Sequence, residues 1–229
     1  MTIAKERTKQ AEPLTITAPN FQTLEVAITG NAPYVQHAFS QKMKEAIGKG
    51  METGTPSTNK RKKAPKNFEQ EFELAKHQSD EGWYGIPCAA FRNALVSACR
   101  VAGFPMTRAK LSIFVLADGY DKQDAGIALS KITKVNNADG EPEMLKSITR
   151  IKDTINVVAR PLFKRGWEAN VRIRWDADQF TATDILNLML RVGSQVGVGE
   201  GRPDSKQSTG MGWGTFDLHQ DTFEQERVA

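Results

Sequence analysis

Residues 167–175 (WEANVRIRW) alternate without a break. Trp167, Ala169, Val171, Ile173 and Trp175 fall on one side of an extended chain, and Glu168, Asn170, Arg172 and Arg174 on the other. That period of two specifies a strand with one buried face and one polar face. Residues 23–29 (TLEVAIT) repeat the pattern, with Leu24, Val26 and Ile28 against Thr23, Glu25, Ala27 and Thr29. Gly30, Asn31 and Pro33 then end the strand. Residues 154–164 and 167–175 read as a hairpin turning at Arg165-Gly166, with Arg160 able to join the arginines of the second strand. Those arginines face either solvent or a phosphate backbone. Residues 110–117 (KLSIFVLA) read as a buried strand, 131–135 and 145–151 as short strands, and 211–218 as a final one.

Two helices separate these strands. Residues 86–102 carry an apolar stripe of Ile86, Ala90, Ala94, Leu95, Ala98, Cys99 and Ala102, with Arg92, Asn93, Ser97 and Arg100 opposite. Pro87 suits the first turn, and Gly103 and Pro105 stop the helix. Thr181–Asp184 has the form of a capping box, and Ile185, Leu188, Met189 and Val192 line the inner face of a helix over 182–195. Residues 34–47 can form a short helix. The order strand, helix, strand, strands, helix, strand fits an α+β chain with a ferredoxin-like (RRM-like) βαββαβ core, large insertions and a glycine-rich C-terminal loop. One domain over 1–229 is expected, with a basic insertion at 48–66 and an acidic tail at 219–229.

Charge is segregated along the chain. The net charge is only +4, but residues 41–66, 86–117 and 144–175 carry +6, +4 and +6, against −12 elsewhere. Such blocks can present a basic face to a phosphate backbone. Lys60, Arg61, Lys62 and Lys63 form the densest run, in a segment of glycine, proline and small polar residues that reads as a mobile loop. No stretch approaches the ~20 apolar residues of a membrane span. The N-terminus lacks the apolar core of a secretory signal. Cys88 and Cys99 cannot pair within one helix and are expected as reduced thiols, which points to the cytoplasm. Two cysteines and three histidines do not make a zinc site of the usual spacing, and neither metal nor cofactor is expected.

Six of the eighteen glycines fall within 197–214. The segment follows a helix and precedes a strand, the reverse of a P-loop or dinucleotide fingerprint. It lets backbone N–H groups approach an anion closely, notably at Gly197, Gly199, Gly210 and Gly212. Arg202 and Lys206 add charge and Trp213 adds a stacking surface. Catalytic patterns are sparse. Asp176 and Asp178 form a turn-like DxD with no third acid, and His37 is the one candidate general acid or base.

Two segments carry a family resemblance. Ile86-Pro87 followed by Ala89-Ala90-Phe91-Arg92-Asn93-Ala94-Leu95 resembles the "IPGSSLKGALR" stretch of the RAMP superfamily, the RNA-binding repeat-associated proteins of CRISPR systems. The segment LMLRVGSQVGVGEGRP…GMGWGTFDL resembles their C-terminal helix, glycine-rich loop and closing strand. Together the two cover about a quarter of the chain. The resemblance implies a backbone-type subunit that binds single-stranded RNA along a basic groove; the departures from the family pattern make a non-catalytic role the expectation and leave single-stranded DNA open as the ligand. The resemblance further implies head-to-tail oligomers, contacts with other effector-complex subunits, and a thumb-like role for 48–66. Carried over by position, Arg92, Arg100 and residues 197–214 approach the nucleic acid. Cys88-Ala89-Ala90 replaces the usual Gly-Ser-Ser, and Glu200 and Asp204 intrude on the glycine loop. The aspartate that target-cleaving members place after the first strand has no counterpart, since no Asp precedes Asp80. The alternatives are an endoribonuclease of the same superfamily using His37, a single-stranded DNA-binding protein of this fold, or a viral protein-interaction module; the texture also suits a phage-encoded member.

Overall fold

The computed structural model describes residues 17–38, 48, 51–52, 66–151, 154–205 and 210–219. The expected tails, most of the 48–66 insertion and the segment 39–47 lie outside them. The described elements run β1 (Phe21–Gly30), β2 (Tyr34–Val35), α1 (Phe68–Leu74), β3 (Gly85–Pro87), α2 (Cys88–Val101), α3 (Met106–Ser112), β4 (Ile113–Leu116), β5 (Gly119–Tyr120), β6 (Ala128–Lys134), β7 (Glu143–Ile151), β8 (Thr154–Phe163), β9 (Glu168–Asp176), α4 (Ala182–Arg191) and β10 (Phe216–Leu218).

The main sheet is antiparallel and ordered β10-β1-β9, with β4 and β6 sharing the second edge of β9. β6 meets it at Glu168 and Ala169, and β4 from Arg172 to Trp175. Taking β1, α2, β4, β9, α4 and β10 in sequence gives the expected ferredoxin-like βαββαβ core. The alternation in the sequence sets its layers. Trp167, Ala169, Val171, Ile173 and Trp175 are all buried, as are Val26 and Ile28 of β1. Helices α2 and α4 bring Phe91, Leu95, Ala98 and Cys99, and Ile185, Leu188 and Met189, into the same core. Phe91 is fully buried, although it lies beside the stripe drawn from the sequence. Both buried indoles are satisfied: Trp167 donates to Ala32 O at 3.0 Å and Trp175 to Phe180 O at 2.9 Å.

Several expectations need correction. The helix expected from residue 86 starts at Cys88, because Ile86 and Pro87 pair with β6 as part of β3. Residues 154–163 and 168–176 do not form a hairpin. β8 pairs with β7 and β2 in a separate three-stranded sheet, while both edges of β9 are taken by β1, β4 and β6. The Arg165-Gly166 turn passes the chain between sheets, and Gly166 N–H is spent on Gly30 O at 2.8 Å. Residues 110–117 are also not one strand. Pro105 opens helix α3, Ser112 donates back to Arg108 O, and extended pairing begins only at Ile113. An apolar run this short does not distinguish a buried strand from a helix end. Finally, Tyr34–Val35 is a strand rather than the start of a helix, because it adds to the edge of β8.

The capping box at Thr181 and Asp184 is present in both directions. Beyond Arg191, α4 widens into a single π turn over Val192–Val196, closed by Gly197 N–H on Val192 O at 2.7 Å. β10 is shorter than expected, at Phe216–Leu218, because the chain from Gly210 to Thr215 still belongs to the glycine loop. Gly193 makes this junction possible: a Cβ there would stand 2.1 Å from Phe216 O. Glycine to alanine inside a helix ordinarily stabilises by about 1 kcal/mol. Here the sign reverses. Gly193→Ala should cost about 1–3 kcal/mol through overpacking, a fall of roughly 2–10 °C in Tm by thermal melting for a chain of this size. An unchanged or raised Tm would contradict the close approach of β10.

Candidate nucleic-acid interface

The described parts of the glycine loop, 197–205 and 210–214, are packed. Gly197, Gly199, Gly201, Gly210, Gly212 and Gly214 all hold φ between 68° and 80°. At Gly214 a Cβ would lie 1.8 Å from Val198 O, and at Gly199 it would enter the Tyr34 ring at 2.5 Å. The loop therefore seats directly on β2. Its backbone is largely consumed internally: Val198 N–H donates to Gly214 O, Glu200 N–H to Val35 O, Asp204 N–H to Val196 O, Met211 N–H to Gly201 O and Gly214 N–H to Pro33 O. The N–H groups of Gly199 and Gly212 have no protein acceptor among the described residues. Trp213 is half-buried and covers Gly201, where a Cβ would meet its ring at 2.4 Å.

The two carboxylates of the loop turn out to be its anchors. Glu200 accepts from Arg160 Nε at 2.8 Å, and His37 Nδ1 stands 3.9 Å from the same oxygen. Arg160 is almost fully buried on β8, so removing Glu200 would leave a desolvated charge. Asp204 accepts from Ser97 Oγ and from Arg100 at 3.0 Å, which ties the loop to α2. The Ser97 hydrogen bond, with Arg100 adding to it, holds the Asp204 carboxyl below the usual carboxylate range. Arg202 folds back on Gly199 O at 3.1 Å. Burial pushes the His37 imidazole below its ordinary range, and the nearby Arg160 charge adds to the effect against the opposing pull of Glu200 and Glu71.

The predicted residues thus fall into separate groups. Arg100, Arg160, Arg202, Gly197, Gly199, Gly210, Gly212 and Trp213 come together around the loop. Lys60, Arg61, Lys62, Lys63 and Lys206 lie outside the described residues. Arg172 and Arg174 are elsewhere, on the face of the main sheet turned away from the helices. Arg172 is paired with Asp118 at 2.8 Å. Arg92 wraps the outer edge of β4, where it donates to Ile113 O at 3.1 Å and to Lys110 O in the last turn of α3.

Sequence reasoning missed Phe21 and Phe114 on that outer sheet face. One signal existed: Phe21 shares the parity of Thr23 and Glu25. It also missed a buried pair, His77 Nδ1 with Asp121 Oδ2 at 2.6 Å, whose members lie 44 residues apart. Cys88 and Cys99 are free and buried, and burial pushes the Cys99 thiol up to about 11. Among the described residues no group of three or more His, Cys, Asp or Glu side chains is placed to hold a metal ion. No described helix is long and apolar enough to cross a membrane.

No family model matches the chain, and no curated protein matches it in sequence. Among solved structures, it is similar to a chain in the cryo-EM structure of the type III-B Cmr-beta bound to cognate target RNA. The TM-score is 0.51 over 87% of this chain, at 10% sequence identity. This chain spans 59% of the length of that one. The likeness is one of fold, and it agrees with a ferredoxin-like core.

Proposed function

We propose that the chain binds single-stranded RNA and serves as a non-catalytic subunit of a ribonucleoprotein effector assembly, stacking head to tail along its ligand. The observation that carries this reading is the glycine loop. It is held rigidly between α2 and β8 by two carboxylate–arginine ties. It leaves the Gly199 and Gly212 N–H groups without a protein acceptor among the described residues and carries Arg202 on the Gly199 carbonyl, within a fold shared with a chain of a target-RNA-bound complex. In the mechanism that follows, phosphates approach Arg100, which keeps 53% of its side chain exposed. They compete there with Asp204 for the guanidinium. Asp204 then acts as an internal stand-in for phosphate, keeping Arg100 oriented while the site is empty.

A second reading is favoured by one observation. His37 is partly exposed beside Arg160, and its lowered pKa keeps the imidazole neutral at pH 7 and able to accept a proton. A neutral imidazole beside a cation supplies one of the groups that an endoribonuclease needs. Incubating labelled RNA with the protein and with His37→Ala separates the two: cleavage that disappears in the variant favours the enzyme, and intact RNA in both favours the binder.

Affinity for a labelled single strand should fall roughly 50- to 130-fold between about 50 and 200 mM salt if four to five phosphates are neutralised. Anisotropy that is flat across this range contradicts the proposal. Arg100→Ala should weaken binding roughly two- to fivefold at low salt and reduce the salt slope by about 0.7. Asp204→Asn, which removes the competitor and keeps the guanidinium, should tighten it. Weaker binding by a folded Asp204→Asn variant would contradict the idea that phosphate and carboxylate share Arg100.

A further inference from the structure

The face of the main sheet opposite the helices carries an aromatic–arginine cluster. Arg174 lies over two rings, its guanidinium carbon 4.9 Å from the Phe21 centroid and 5.5 Å from that of Phe114. The rings meet edge to face, 5.8 Å apart and at 79°. Arg92 reaches the Phe114 ring from the edge of β4 at 5.4 Å. The register explains the cluster. Arg174 pairs across to Thr23 on β1 and to Phe114 on β4, and Phe21 is the next outward position of β1.

Core packing does not account for Phe21. It is 42% exposed at an outward position, where its neighbours of the same parity are Thr23 and Glu25. The carboxylates of this face are engaged elsewhere. Asp118 holds Arg172, Glu25 accepts from Asn170, Glu168 pairs with Lys134, and Asp176, opposite Phe21 in the register, accepts from the Asp178 N–H. Arg174 is exposed and has no carboxylate within ion-pair distance among the described residues. An exposed ring beside a guanidinium with no ion pair among the described residues offers a π-face for a base and a charge for the phosphate attached to it. Packing of Arg174 onto both rings pre-orients that charge.

We propose that Phe21, Phe114 and Arg174 form a base-stacking platform for single-stranded nucleic acid, a second contact remote from the glycine loop. It deepens the RNA-binding reading and rests on it for the class of ligand. An unpaired base stacks on Phe21 or on the Arg174 plane, and Arg174 takes the adjoining phosphate. Phe114 backs the cluster and Arg92 fixes its edge.

The test is fluorescence anisotropy with a labelled ten-nucleotide uridine strand, its deoxythymidine equivalent, and an abasic strand of equal length. Phe21→Ala and Arg174→Ala should each weaken binding of both base-bearing strands by about five- to a hundredfold. Phe21→Leu keeps the apolar bulk and should be as weak as Phe21→Ala, with the Tm of the unsubstituted protein. The abasic strand should bind poorly and no longer distinguish Phe21→Ala from the unsubstituted chain. Salt slope should be unchanged by Phe21→Ala, since the ring holds no phosphate. If the Phe21 and Arg174 variants bind normally while Arg100→Ala binds weakly, the platform is overturned and the loop site stands. A loss confined to one of the two sugars overturns stacking, which does not read the 2′-hydroxyl. If the unsubstituted protein binds none of the strands, both readings fall.

Discussion

Everything in this molecule hangs on the pairing of β1 with β9. Nine consecutive residue pairs, from Phe21 with Asp176 to Thr29 with Glu168, put both strands in one register. That register turns Trp167, Val171, Ile173 and Trp175, together with Val26 and Ile28, onto the same side. A slip of one residue would exchange the core face for the polar face along both strands. Helices α2 and α4 cover the apolar side, β10 extends the sheet beyond β1, and β4 and β6 extend it beyond β9. The opposite side is left to Arg172, Arg174, Glu25 and the two phenylalanines.

The glycine loop depends on the same frame. The π turn after α4 delivers the chain to β2, and glycines at the tightest points let backbone lie against backbone. Its two described carboxylates are balanced by arginines of the fold rather than by solvent. Asp204 reaches α2 and Glu200 reaches β8, so a single loop joins the helical layer to the smaller sheet. The described part of the loop is therefore tied down where a glycine-rich sequence would be expected to be loose. A stiff loop loses less conformational entropy on binding, which favours recognition of a flexible single strand.

Local periodicity was enough to find β1, β9, α2, α4 and the capping box, because each repeats within a few residues. What escaped depended on distant partners. β8 looked like the neighbour of β9 since a glycine turn joins them, yet its partners β7 and β2 are chosen by the second sheet. The change from α3 to β4 inside KLSIFVLA depends on where β9 offers an edge. Arginines were visible as charges, but not as pairs: Arg160 with Glu200 lies 40 residues apart and Arg100 with Asp204 lies 104 apart. Phe21 was overlooked because the strand was read as starting at Thr23, two residues late.

The central claim is that single-stranded RNA lies along the glycine loop. Ultraviolet crosslinking of the full chain to a uridine-rich strand, followed by peptide mapping, tests it directly. Crosslinks within 197–214, with Trp213 among them, are the predicted result. Crosslinks confined to peptides remote from the loop, or none at low salt, would contradict it.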